Sequence, residues 1–165
     1  MRIAVTTAYG YWGNVSPDTV FKPDSTQMVG GGETAMFWLS RALAERGHQI
    51  DMFYDSSRPG NYGGINVLPK AMKLPMLMAT DYDVLIAWED TEAIAVNHRA
   101  KFVIYAVQCN TMQIGILDYG IDMYQAVSKW HCDTLFSSDS IIDDTKFMLV
   151  PNGVDLRRYQ QQPAV

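Results

Sequence analysis

The chain has 165 residues, 48% of them hydrophobic and 19% charged, with a formal net charge of −5 at pH 7. This length and composition predict one folded domain with a substantial buried core and exclude a largely disordered chain. The negative charge, without a cluster of Lys and Arg in the sequence, argues against nucleic acid as the main partner, because binding to a phosphate backbone needs clustered positive charge.

The amino-terminal run Arg2–Thr7 is short, apolar and rich in β-branched residues, which predicts the first strand of a parallel sheet. It follows Met1 directly, without the apolar core of a signal peptide. No stretch of the sequence approaches the roughly 20 apolar residues of a membrane span. We therefore expect a cytoplasmic protein without a transmembrane segment.

The next segment, Ala8–Met28, is rich in Gly, Pro, Asp and aromatic residues and has neither a helical nor a strand period. It is predicted to be a loop of unusual length, and long loops are often functional. Tyr11 and Trp12 in this loop could stack against a sugar or a base. The alternative, that these aromatic side chains only hold the loop on the surface, stays open.

Three consecutive glycines, Gly30, Gly31 and Gly32, stand with Glu33 just before a helical pattern. Glycine permits a positive φ and places no Cβ between the main chain and a ligand. A glycine turn that opens a helix also presents free N–H groups and the positive end of the helix dipole to a phosphate, a carboxylate or a sugar hydroxyl. The order is not G-x-G-x-x-G and no Lys-Ser/Thr pair follows, which disfavours classical NAD binding and P-loop ATP hydrolysis. A tight turn without a ligand is the open alternative.

The helix itself is predicted over Thr34–Arg46. The spacing i, i+3, i+6 and i+7 predicts one apolar face, formed by Met36, Leu39, Ala42 and Leu43. Gly47 is predicted to end the helix as the residue after its C-cap.

The middle of the chain alternates strands and turns. A second strand is predicted over His48–Tyr54, a turn over Ser56–Gly64 and a third strand over Ile65–Pro69. Met72–Ala79 is apolar and Met-rich, but Pro75 within it predicts a broken or short helix that packs on the sheet.

Acidic residues stand at both ends of the apolar strand predicted over Val84–Trp88. Asp81 and Asp83 have a spacing that suits a divalent metal, but they precede the strand, whereas ligands bind beyond the carboxyl ends of parallel strands. A structural turn is therefore favoured there, and no metal site is expected. Glu89–Asp90 stands at the carboxyl end and is the better polar candidate, although it could equally open a helix over Thr91–Arg99.

The strand predicted over Lys101–Val107 is followed by Gln108 and Asn110. Because the carboxyl ends of parallel strands share one edge of a sheet, these two amide side chains are expected to face the same opening as Gly31.

The last elements are a strand over Met123–Ser128, a helix over Lys129–Leu135 capped by Ser128, and a strand over Lys146–Val150. His131 is expected to be a surface or structural residue, since no Ser, Cys or metal-ligand arrangement surrounds it in sequence.

The two cysteines, Cys109 and Cys132, lie beside apolar residues in no metal-binding spacing, which favours buried, reduced thiols over a disulfide. No Ser-His-Asp or Cys-His arrangement indicates hydrolysis, and no residues indicate a bound cofactor. The alternation of strands and helices predicts an α/β fold, a Rossmann-like parallel sheet with helices on both faces.

Three segments resemble the GT-B retaining glycosyltransferases of the family 4 type. Gly30–Glu33, with a helix that ends in Arg41–His48, is similar to the opening of these enzymes. Val127–His131 resembles their Val-Ser-x-Trp/Phe segment, and Val150–Asp155 resembles their Pro-Asn-Gly-Val-Asp hinge. The three matches occur in the family's order and at about its distances, so the resemblance covers almost the whole chain.

The resemblance implies that residues 1–155 are the Rossmann-like N-terminal, acceptor-side domain, the N-terminal half of a GT-B architecture, and that residues 156–165 are a hinge or tail. Gly30, Gly31 and Gly32 would bring main-chain N–H groups near the donor diphosphate or sugar, with Glu33 at the start of the helix. Gln108 stands at the strand end where many members have a His, and Asn110 follows it. Gln can bond a sugar hydroxyl but cannot take a positive charge.

The resemblance further implies transfer of a hexose from a nucleotide-sugar donor to a sugar, lipid or small-molecule acceptor, in carbohydrate biosynthesis. The family's C-terminal domain supplies paired glutamates and the basic residues that neutralise the leaving diphosphate, and the sequence ends before such a domain. We therefore expect a truncated enzyme or one chain of two, inactive without that domain.

Other functions stay open. They are a stand-alone carbohydrate- or partner-binding module, a different nucleotide-using enzyme such as a reductase or ligase, and a remnant with a structural role. The glycosyltransferase hypothesis places Gly31 and Gln108 at the carboxyl edge of the sheet and predicts an exposed apolar face near Val154.

Overall fold

The computed structural model describes residues 1–8, 17–21, 30–56, 58–108, 120–138 and 144–153. The strands of this described part are β1 Arg2–Thr7, β2 Gln49–Phe53, β3 Gly60–Tyr62, β4 Ile65–Leu68, β5 Val84–Trp88, β6 Val103–Ala106, β7 Met123–Ala126 and β8 Phe147–Leu149. Its α-helices are α1 Pro17–Phe21, α2 Gly31–Glu45, α3 Lys73–Ala79, α4 Thr91–Ala95 and α5 Lys129–Ser138, with 3-10 turns at Lys70–Met72 and Asp144–Lys146.

The strands form one sheet in the order β3-β4-β2-β1-β5-β6-β7-β8. Every neighbouring pair is parallel except β3 and β4, which run antiparallel. The chain moves from β1 towards β2 and β4, and then returns to add β5 on the other side of β1. This reversal between β1 and β5 is where open parallel sheets bind ligands, beyond the carboxyl ends of the strands. The predicted α/β, Rossmann-like fold is confirmed.

Helices cover both faces of the sheet, as predicted. On one face, Met36 and Phe37 of α2 are buried in a cluster with alternate residues of the central strands. On the other face, Leu77 of α3 and Ile94 of α4 are buried against the side chains that point the opposite way. The alternation of apolar residues along the strands therefore supplies two cores rather than one.

Helix α2 begins at Gly31 rather than Thr34, and its buried face is rotated from the predicted one. The buried residues are Met36, Phe37 and Ser40, and the Ser40 hydroxyl donates to the Met36 carbonyl at 2.9 Å. Leu39, predicted to be in the core, is 37% exposed. The prediction missed Phe37 because a wide helical face also includes the neighbour of each i, i+3 residue.

The end of α2 was predicted correctly. Gly47 has φ +83°, its N–H donates to the Ala44 carbonyl at 2.9 Å, and the His48 N–H donates to the Leu43 carbonyl at 3.2 Å. This pair of bonds is a Schellman motif, which needs a left-handed residue after the C-cap.

Three other predictions of local structure were wrong. The supposed loop Ala8–Met28 contains α1, whose Val20 is buried beside α2. The supposed turn Ser56–Gly64 contains β3, which pairs with β4. The predicted helix Thr91–Arg99 stops at Ala95, because the Arg99 N–H bonds the Leu77 carbonyl and thereby leads the chain into β6.

The short helix around Pro75 is confirmed as α3. Pro75 is its third residue, where a backbone N–H has no acceptor within the helix and its absence costs little.

The outermost strand on one side of the described sheet, β8, carries exposed apolar residues. Met148, Leu149 and the following Val150 are 40%, 49% and 38% exposed. Val154, near which an apolar face was predicted, lies outside the described residues. No helix in the described part of the chain is long and apolar enough to cross a membrane.

Candidate functional site

A continuous row of side chains and main-chain groups runs along the carboxyl edge of the sheet. Its five members, which we call the carboxyl-edge row, come from four segments distant in sequence: Gly32, the consecutive Trp88 and Glu89, Gln108, and Asn152. Each touches the next: the position of a Cβ on Gly32 lies 3.7 Å from Trp88 Nε1, and the Gln108 N–H donates to Glu89 Oε1 at 2.7 Å. Asn152 Nδ2 donates to Gln108 Oε1 at 3.1 Å. Gly31 and Gln108 therefore lie at the carboxyl edge of the sheet, as predicted.

The glycines at the start of α2 do not have the positive φ that was expected of them. Gly30 is the N-cap, with φ −60° and ψ 153°, and Gly31 and Gly32 are helical. What glycine provides here is space. A Cβ on Gly30 would lie 3.1 Å from Glu33 Cδ and closer still to a carboxylate oxygen, because the Glu33 side chain folds back over the N-cap. Gly31 is exposed, with nothing within 4 Å of a Cβ position.

The Glu33 carboxylate stands at the N3 position of α2, where a negative charge complements the helix dipole. The helix thus carries its own anion at its first turn. An external phosphate would meet this carboxylate as well as the N–H groups, which weakens the sequence-based argument for phosphate binding at the glycines.

Trp88, the last residue of β5, lies beneath this first turn. It is 3% exposed, and its indole nitrogen is buried without a hydrogen-bond partner among the described residues. Gly32 is the α2 residue above that nitrogen. A buried N–H without an acceptor costs about 1–3 kcal/mol, so its retention needs an explanation.

Glu89 follows Trp88 and has the one positive φ, +51°, recorded for a non-glycine residue in the described part of the chain. It is 7% exposed. Its N–H donates to the Ala106 carbonyl at 3.0 Å, and its carboxylate accepts from the Gln108 N–H. A left-handed conformation costs such a residue about 1–2 kcal/mol, and strain of this kind collects at functional sites.

A buried ion pair fixes the residue after Glu89. Asp90 is the N-cap of α4 and accepts from the Ala93 N–H at 3.2 Å, while Lys73 Nζ reaches its two oxygens at 3.0 and 2.9 Å. The side chains of Lys73 and Asp90 are 3% and 1% exposed. Lys73 also contacts Glu92 at 2.7 Å. Burial lowers the pKa of Lys73, but the hydrogen bonds to Glu92 and Asp90 outweigh this effect and raise it overall.

Amide side chains join the ends of β6, β7 and β8. Gln108 Nε2 lies 3.5 Å from Gln125 Oε1, and Gln125 Nε2 donates to the Val150 carbonyl at 2.9 Å. Gln108 is half-buried and Asn152 is exposed. Each amide can donate and accept hydrogen bonds without carrying a charge, so it can pair with a hydroxyl group in either direction.

The charge around this edge is negative. Burial, with the charges of Glu33 and Asp55, raises the pKa of Tyr54 from 10.0 to about 12. Lys70 approaches the edge, where its Nζ donates to the Ala8 carbonyl at 3.0 Å. Lys73 is already held by Asp90 and Glu92.

The remaining candidates fall into two groups. Asp81 and Asp83 form ion pairs with Arg99 and Lys101, at 2.8 and 2.7 Å, and Asp83 also accepts from the Arg2 N–H at the amino edge of the sheet, as expected of a structural turn. The predictions for Tyr11, Trp12, Cys109, Asn110 and Asp155 concern positions outside the described residues.

Ser128 caps α5 as predicted, since its hydroxyl accepts from the His131 N–H at 3.0 Å. His131 is 2% exposed, so it is buried and not a surface residue. Cys132 is a free thiol, but half-buried rather than buried.

Sequence analysis missed Trp88 and Lys73. Trp88 was counted only as the end of an apolar strand, although an indole N–H at a strand's carboxyl end is a signal that could have been used. Lys73 carried no signal, because its burial depends on Asp90, 17 residues away.

Among the described residues, no group of three or more His, Cys, Asp or Glu is arranged to hold a metal ion. No protein-family model matches the chain. The curated proteins include none that matches it significantly.

Proposed function

We propose that this chain is the acceptor-side, N-terminal domain of a GT-B retaining glycosyltransferase, which transfers a sugar from a nucleotide-sugar donor. One observation carries the proposal. The three segments that resemble the family lie far apart in sequence, yet Gly30–Glu33, Ser128 and Asn152 all stand at the carboxyl edge of the sheet. A working site requires such motifs to lie at the ligand-binding edge of the α/β sheet, and this placement supports the proposal.

The chemistry of the carboxyl-edge row also supports this proposal. Gln108 and Asn152 present amides, Glu89 presents a carboxylate, and α2 presents the N–H groups of its first turn. These groups suit the alternating donors and acceptors of a sugar. The row lacks the clustered positive charge that would stabilise a leaving diphosphate, so in this proposal the second domain supplies it.

A stand-alone partner-binding module is the second candidate. The exposed Met148 and Leu149 on β8 favour it, because exposed apolar residues grouped on one surface mark contact sites.

The proposal is tested by binding and transfer. The chain is titrated with nucleotide-sugars, NAD and ATP, and we expect no saturable binding of NAD or ATP at micromolar concentrations. The chain alone should give no sugar transfer. Transfer should require a second domain with paired glutamates, sought in the reading frame beyond codon 165 or in a co-purifying chain.

Gln108→Ala is the informative variant, because it removes the side-chain amide that contacts Asn152 and Gln125 while it keeps the backbone N–H that donates to Glu89. We expect transfer by the assembled enzyme to fall about tenfold or more, as a lost, well-placed polar contact costs 1–3 kcal/mol. Gln49→Ala is the matched control, since Gln49 is exposed at the opposite edge of the sheet. Robust transfer by the chain alone, or an unaffected Gln108→Ala enzyme, would contradict the proposal.

A further inference from the structure

The first turn of α2 and the indole of Trp88 form a single hydrogen-bonding unit. The turn presents the N–H groups of Gly31 and Gly32, which have no acceptor within the helix. Trp88 adds a third donor below them. Its nitrogen is buried, lacks a partner among the described residues, and lies 3.7 Å from the Cβ position of Gly32.

The missing group must be an acceptor, because an indole nitrogen can only donate. Gly32 leaves room for that acceptor. Any larger residue would place its Cβ in van der Waals contact with Nε1 and fill the approach from the first turn, whereas a Cβ on Gly31 would meet nothing.

The surrounding charge decides between an anionic and a neutral acceptor. Glu33 folds over the N-cap and Glu89 directly follows Trp88, while Asp55 lies two residues beyond the end of β2 and, with Glu33, acts on Tyr54. Of the two lysines placed near this edge in the described part of the chain, Lys73 is neutralised by Asp90 and Glu92. Lys70 alone does not balance three carboxylates, so a phosphate would enter a region of negative potential. An uncharged hydroxyl group would not be repelled by this potential, and it could donate a hydrogen bond to one of the carboxylates.

We propose that Trp88 is a ligand-binding residue whose indole N–H, beneath Gly32, donates a hydrogen bond to a hydroxyl oxygen of an uncharged carbohydrate. This inference rests on the proposed function, in which it assigns the acceptor sugar, and not the donor diphosphate, to the first turn of α2.

The test uses the indole N–H resonances of the chain's four tryptophans in ¹⁵N-labelled protein. Trp88→Phe identifies the Trp88 signal by its loss. The labelled protein is titrated separately with methyl glycosides and maltose, and with inorganic phosphate and pyrophosphate. We expect a saturable downfield shift of the Trp88 signal with a neutral sugar and none with either anion.

Two variants examine the contact itself. Trp88→Phe should weaken sugar binding about three- to tenfold, the effect of one lost hydrogen bond. Gly32→Ala should weaken it at least as much while it retains the fold, because alanine favours the helix. Trp38→Phe is the control for the indole, since the Trp38 ring of α2 packs edge-on against Phe21, and it should leave sugar affinity unchanged.

A Trp88 shift produced by phosphate or pyrophosphate would overturn the inference in favour of an anion site. The absence of a shift with every neutral sugar would overturn it as well. Neither result bears on whether the assembled enzyme transfers sugar or depends on Gln108, so the failure of this inference and that of the proposed function are distinguishable.

Discussion

The buried pair of Lys73 and Asp90 gives the sharpest prediction of stability. Lys73→Met keeps most of the side-chain volume but removes the charge, which leaves the Asp90 carboxylate, 1% exposed, with the Ala93 N–H as its remaining recorded partner. Removing one member of a buried ion pair costs about 3–5 kcal/mol. The domain's total stability should be about 5–15 kcal/mol, so the variant would lose a large part of it.

The assay is denaturant unfolding followed by circular dichroism, with the free energy of unfolding as the readout. Lys129→Met is the matched control. Lys129 pairs with Asp133 at 2.8 Å, but the two side chains are 81% and 59% exposed, so solvent screens the pair and its loss should change stability far less than the loss of Lys73.

A double variant separates the stranded charge from other causes. Asp90→Ser retains an oxygen that can cap α4 but has no charge. Combined with Lys73→Met, it should return stability to within about 1 kcal/mol of the parent, because no buried charge then remains. If Lys73→Met costs no more than Lys129→Met, or if the double variant is no more stable than Lys73→Met, the reasoning is refuted.

Other predictions concern conformation and pH. Gly47→Ala should destabilise the domain by about 1–2 kcal/mol in thermal or denaturant unfolding, because Gly47 has φ +83°, whereas Gly153→Ala, also with nothing within 4 Å of its Cβ position, should be near neutral; equal effects would contradict the left-handed cap. The pKa of Tyr54, raised from 10.0 to about 12, favours the protonated form in the folded state, so its contribution should be complete below pH 10 and disappear as the pH rises through 12, as followed by tyrosinate absorbance. Glu33→Gln should lower the pKa of Tyr54 in the same titration, since the Glu33 charge helps to raise it, and an unchanged or higher value would contradict this cause.

The strands and caps were predictable because their signals are local. The apolar run Val84–Trp88 became β5 with the same bounds, and Gly47 and Ser128 ended and began helices as their residue types predict. Each of these assignments depends on a residue and its near neighbours, so tertiary contacts reinforce the local preference.

The features that were missed depend on distant contacts. The glycine triplet has no positive φ, and the space that its residues leave lies beside the Glu33 side chain and Trp88, which sequence alone did not indicate. The early end of α4 follows from a bond to Leu77. The edge at which Gly31 and Gln108 lie was predictable from strand direction alone, but which side chains touch there was not, because the strand order sets it.

The two edge strands of the described sheet, β3 and β8, differ in the residues that they expose. β3 runs against its neighbour and exposes the polar Asn61. At the opposite edge, β8 carries Met148 and Leu149, which are 40% and 49% exposed. An edge strand with exposed apolar residues can pair with a strand from another molecule. Aggregation at high concentration should therefore start at β8, and a lysine in place of Met148 is the simplest means of keeping preparations monodisperse.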